Sequence, residues 1–146
     1  MPRLLVLLAA LAVVVSGCGS GPSRTEFVRK ADALCTATNR AHPPKPRPRS
    51  GAQAAAQETE EIAVRRELDA KLKALEVPDS LRSDFDAYNE GTRRVIAAIE
   101  VMRADARSRD KRKFQFDSRG FERAATAREK VAIRIGFRVC GRQAPK

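Results

Sequence analysis

Apolar and polar positions along the chain change period several times, and each change marks an element. Leu4 to Val15 is an unbroken apolar run. It is too short for a transmembrane helix, which needs about twenty residues, and suits a signal-peptide core behind the charged start Met1-Pro2-Arg3. From residue 23 the pattern turns helical. Ser23-Arg24-Thr25-Glu26 is a capping box, and Phe27, Ala31, Leu34, Cys35 and Thr38 follow at helical spacing, fading near Arg40. Residues 41–50, with four prolines, fit neither helix nor strand and predict an extended polyproline linker. Ser50-Gly51-Ala52-Gln53 opens a second helix over 51–76, with Val64, Leu68, Leu72 and Leu75 on one stripe. Pro78 suits the first turn of a third. There Leu81, Phe85, Tyr88, Thr92, Val95, Ile99, Met102 and Ala106 alternate steps of four and three, the spacing of bundle packing. Residues 107–110 form the break. A last helix carries Phe114, Phe121, Ala125, Ala132, Ile135 and Val139, with Gly141 expected as its stop. No stretch sustains strand alternation. The expectation is an all-α fold, a small four-helix bundle with a Pro-rich crossover after helix 1.

The apolar leader ends in Val15-Ser16-Gly17-Cys18, which resembles the lipobox of bacterial lipoproteins. Small side chains at Ser16 and Gly17 suit a protease that holds extended backbone, and Cys18 would take a diacylglyceryl group. The domains expected are a lipoprotein signal peptide at 1–17, a lipidated Cys and tether at 18–23, a helical bundle at 24–142 and a tail at 143–146. A covalent lipid on Cys18 would anchor the chain to the outer face of the cytoplasmic membrane, and no other cofactor is expected.

Cys35 and Cys140 then remain as one pair in an oxidising compartment, where a disulfide is the default reading. Closing a loop of roughly 100 residues is worth about 4.7 kcal/mol on the chain-entropy model. A metal site lacks ligands, because the single histidine, His42, lies in the Pro-rich linker. Direction matters for this bridge. If the last helix runs through Val139, a simple up-down bundle keeps the two cysteines apart. The reading adopted therefore sends the linker back along the bundle, so that helix 1 runs parallel to helices 2 and 4.

Around the first cysteine, Phe27 to Asn39 contains Ala31-Asp32-Ala33-Leu34-Cys35 and then Asn39, with a Pro-rich spacer after it. Gly136-Phe137-Arg138-Val139-Cys140 closes the far end. This arrangement resembles a group of small lipoproteins and secreted helical proteins from actinobacteria. The resemblance implies an α-helical fold with one Cys–Cys bridge, and it implies no activity. Asp32 is expected at the surface or an edge, paired with a basic neighbour, with Arg128 as candidate partner.

Composition removes several classes. The chain has 146 residues, 5% aromatics and no Trp, so a TIM barrel, a doubly wound nucleotide-binding domain and a multi-pass membrane protein are excluded by size or pattern. No His stands near a nucleophile and no Gly-rich phosphate loop follows a strand, so no enzyme is expected. The net charge is +11. Residues 110–146 hold eleven Lys and Arg against four Asp and Glu, a surplus of seven. Arg119, Arg123, Lys130 and Arg134 form a stripe on the last helix. Behind a lipoprotein leader the available polyanions are anionic lipids and cell-wall polymers rather than nucleic acid. A merely solvated basic face is the competing reading of that stripe. A carrier that opens to hold an apolar or amphipathic ligand is the alternative function, disfavoured by an Ala-rich interior that leaves little room.

Overall fold

The computed structural model describes residues 21–108 and 110–142. Four helices follow one another: α1 Arg24–Ala41, α2 Gly51–Lys73, α3 Arg82–Ser108 and α4 Lys111–Ile135, with a 3-10 turn at Asp79–Leu81 leading into α3. They pack as an all-α bundle, with no strand among the described residues. The leader, Cys18 and the tail 143–146 lie outside the described residues.

Local chemistry fixes the ends. Ser23 Oγ accepts from the Glu26 amide at 3.2 Å, and Ser50 Oγ from the Gln53 amide at 3.1 Å. The reciprocal halves of both capping boxes are not made. Glu26 turns to Lys30, and Gln53 Oε1 accepts from the Arg49 amide instead. Asp110 caps α4 by accepting from the Lys113 amide. Helix 2 stops at Lys73, three residues short of the expected end.

The last helix departs further from expectation. It ends at Ile135, and Gly136, not Gly141, is the stop. Gly136 takes a left-handed φ of 97°, its N–H donates to the Ile133 carbonyl, and the Phe137 N–H donates to the Ala132 carbonyl. This is a Schellman closure, which a Cβ at the left-handed position would strain. The chain reverses there, so Val139 and Cys140 lie beyond the helix.

That reversal overturns the parallel placement of helix 1. Gly51 at the start of α2 lies against Ala106 at the end of α3, Leu72 at the end of α2 packs with Phe85 at the start of α3, and Arg134 near the end of α4 meets Asp84 at 3.1 Å, so α2 and α4 both run antiparallel to α3. The Arg24 guanidinium donates to the carbonyls of Arg134 and Ile135, at 2.6 and 3.2 Å, so α1 starts where α4 ends. Down the linker, Lys45 pairs with Glu60, Pro46 accepts from Gln57, and Arg49 donates to Gln53. Rising linker numbers meet falling α2 numbers. Thus α1 and the linker run on together, antiparallel to α2, and the topology is a plain up-down-up-down bundle. Cys140 reaches Cys35 because the chain folds back, and the two are bridged with Cα atoms 5.4 Å apart.

The core is layered along the axis. The upper layer holds Phe27, Leu72, Phe85, Tyr88, Ile135, Phe137 and the disulfide. Its rings meet edge-on, Phe27 with Phe85 at 5.2 Å and Tyr88 with Phe137 at 5.3 Å between centroids. The middle layer is Ile62, Val95, Ile96, Ile99 and Ala125, and the lower one Ala54, Ala55 and Ala106. At the lower end α2 approaches α3 so closely that a Cβ on Gly51 would sit 2.3 Å from the Ala106 carbonyl oxygen.

Candidate anionic-surface interface on the last helix

With its core stripe of Ala125, Ala132 and Ile135 turned inward, α4 presents its opposite side to solvent. Arg119, Arg123 and Lys130 all lie exposed there. They line one shallow dish of about 610 Å³ with Glu122, Thr126 and Ala127. Thr126 and Ala127 are short, so the floor between Arg123 and Lys130 is low and the cations form the rim. Among the described residues none of the three makes an ion pair within 4 Å. Arg134, the fourth residue of the predicted stripe, behaves differently. Its guanidinium holds Asp84 of α3 at 3.1 Å, so its charge is already partnered.

Two apolar side chains on this face escaped the sequence reading. Phe116 is 67% exposed and Ile133 is 53% exposed, two of the three exposed large hydrophobics in the described residues. The signal was present in the spacing. Phe116 is two residues from Phe114, and two residues of helix turn about 200°, so both cannot face the core.

Comparison with protein-family models, with curated proteins and with solved structures finds no match to this chain.

Asp32 does not meet Arg128. Its carboxylate accepts from the backbone N–H groups of Arg138, Val139 and Cys140, at 2.9 to 3.0 Å. Arg128 instead lies buried over the Tyr88 ring, 5.9 Å from its centroid, with Nε unpartnered. Burial pushes that guanidinium below its ordinary range, with the Arg65 charge adding to the effect. Lower down, Asp105 is only 2% exposed, and it meets Lys113 Nζ at 3.1 Å. A hydrogen bond to Asp105 raises the Asp117 carboxyl above its ordinary range, helped by burial. No group of three or more His, Cys, Asp or Glu among the described residues is arranged to hold a metal.

A second concavity of about 780 Å³ opens where α1 stops and the linker takes over. Glu58, Glu61, Arg65, Arg138 and Arg142 line it, alongside Pro44 and Val139. So charged a wall is a poor host for an apolar ligand. No helix among the described residues is long and apolar enough to cross a membrane.

Proposed function

We propose that this is a lipid-anchored cell-envelope protein with a non-enzymatic role, which holds its basic α4 face against an anionic surface of lipid or cell-wall polymer. The observation that carries the reading is the set of three exposed cations, Arg119, Arg123 and Lys130, at turn-like spacing and without carboxylate partners among the described residues. Unpaired charge on one helix face is what a polyanion can use, whereas cations held by neighbouring carboxylates have little left to offer. The lipobox-like Cys18 supports the compartment. The start of α1 beside the end of α4 supports the geometry, since a short tether from Cys18 brings this face near a bilayer.

The test uses the mature chain with Cys18→Ala, so that no lipid confounds binding. It should bind anionic vesicles and a soluble polyphosphate, with affinity falling steeply as salt shortens the Debye length. Changing Arg119, Arg123 and Lys130 to Gln should weaken both by about 1 kcal/mol for each cation lost, with helicity unchanged. Arg134→Gln alone should do little, because that guanidinium is shared with Asp84. Equal binding by the triple variant and the parent would reduce the face to a solubilising surface. In the wild-type chain, Cys18→Ala should move the protein out of the membrane fraction after a high-salt wash.

A further inference from the structure

We infer that the anionic surface is a bilayer, and that α4 lies in its interface with Phe116 and Ile133 sunk into the acyl boundary as two apolar anchors. The inference rests on the proposed role of the α4 face and decides between the two polyanions that role admits.

Helical geometry brings the residues together. Taking Arg119 as zero and 100° per residue, Arg123 lies at about +40°, Lys130 at about +20°, Phe116 at about +60° and Ile133 at about −40°. Cations and apolar side chains therefore share one arc of roughly 100°. They do not occupy opposite sides of the helix. Phe116 and Ile133 are 17 positions apart, about 26 Å at 1.5 Å per residue, so they bracket the cationic stretch. Each sits one turn from a cation, Phe116 from Arg119 and Ile133 from Lys130.

Chemistry separates the occupants. A hydrated wall polymer offers phosphate or carboxylate to the cations and nothing to a ring that is two-thirds exposed. A bilayer offers both, headgroup charge at the surface and hydrocarbon about 5–10 Å below it. Arginine and lysine reach up to the headgroups on long stems while shorter apolar neighbours go deeper. The chain's own topology permits the pose. Arg24 is bonded to the carbonyls of Arg134 and Ile135, so α1 begins at the Ile133 end of this face.

The probe is built into the composition, since the chain has no tryptophan. In the mature Cys18→Ala chain, Phe116→Trp should shift its emission to the blue on adding anionic vesicles. Lipids brominated in the acyl chain should quench it, while polyphosphate should leave the emission unmoved. A second variant, Phe116→Gln with Ile133→Gln, keeps the helix propensity and every cation. Its partition into anionic vesicles should fall about tenfold or more, while polyphosphate affinity stays as in the parent. A tryptophan that stays unshifted on vesicle-bound protein, or a double variant that partitions like the parent, overturns the bilayer inference and leaves the polyanion reading standing. Loss of binding to vesicles and polyphosphate alike in the parent overturns both. A dimer in sedimentation that the double variant dissolves would assign the face to a second copy and overturn the inference.

Discussion

Asp32 shows how much one side chain can hold. It sits three residues before Cys35 on the same side of α1, and its two oxygens accept the amides of three successive residues ending in Cys140. The carboxylate thus grips the returning strand of chain while the sulfur of Cys35 bonds to it. Charge-assisted bonds of this kind are each worth more than neutral ones. Asp32→Ala should therefore lower stability by about 3 kcal/mol in denaturant unfolding, on the same principle. It should also slow reoxidation of the reduced chain by glutathione disulfide, because Cys140 is no longer presented. Asp32→Asn, which keeps one acceptor oxygen, should recover part of both losses. The partner of Asp32 was not legible in the sequence, because amides carry no side-chain signature. Arg128 was legible only as an anomaly, a cation at an apolar position of the repeat. Gly91 makes its seat possible, since a Cβ there would come within 3.0 Å of the Arg128 Cβ.

Among the elements, the α3–α4 pair carries a charge arrangement that sets its pH response. Asp105 of α3 meets Lys113 and Asp117 of α4, and Glu58 of α2 and Arg103 of α3 face the same group. Hydrogen bonding to Asp105 raises Asp117, and burial raises Glu58 with Asp105 adding to it. A raised carboxyl stabilises the fold while protonated and loses that contribution as pH rises through its folded value. Glu26, Glu60, Glu67 and Glu90 are lowered by hydrogen bonds from Lys or Arg, so they act in the opposite sense. Asp117→Asn should accordingly raise the melting temperature at pH 7 and leave it nearly unchanged at pH 3. Thermal unfolding by circular dichroism at the two pH values checks this. Most of the helices could be read in the sequence, because apolar spacing and capping residues are local. The end of α4 could not. Val139 stands four residues after Ile135, so the apolar spacing continues in sequence straight through the reversal at Gly136, and the expected direction of helix 1 rests on that single step. The cationic stripe was legible for the same local reason, whereas the pairing of Arg134 with Asp84 depends on the register of two helices 50 residues apart in sequence.

For the whole molecule, α1 is the least embedded of the four helices: beside the buried side chains of Phe27 and Ala31, its polar and covalent attachment is concentrated at three points. Arg24 holds the end of α4, Asp32 holds the returning chain, and Cys35 is bonded to Cys140. The linker that joins α1 to α2 is exposed throughout residues 41–50 and fastened by surface contacts. Tryptic cleavage within it, after Arg49, whose next residue is Ser50 where Lys45 and Arg47 are each followed by proline, should leave the two pieces together. They should run as one species on a non-reducing gel, separate on reduction, and keep nearly all helicity before reduction.

The bridge also decides how the protein would carry a mechanical load. A pull on residue 21 against a fixed residue 142 passes down twelve residues of α1, across the sulfurs at Cys35–Cys140, and out through the last two residues. The hundred residues of the loop, linker, α2, α3 and α4 together, lie off that line and bear no tension. A domain hung by its amino end from a moving surface can be tugged without being unspooled, provided the sulfur bond is intact. Reduction reroutes the same tug through the linker and peels α1 away first.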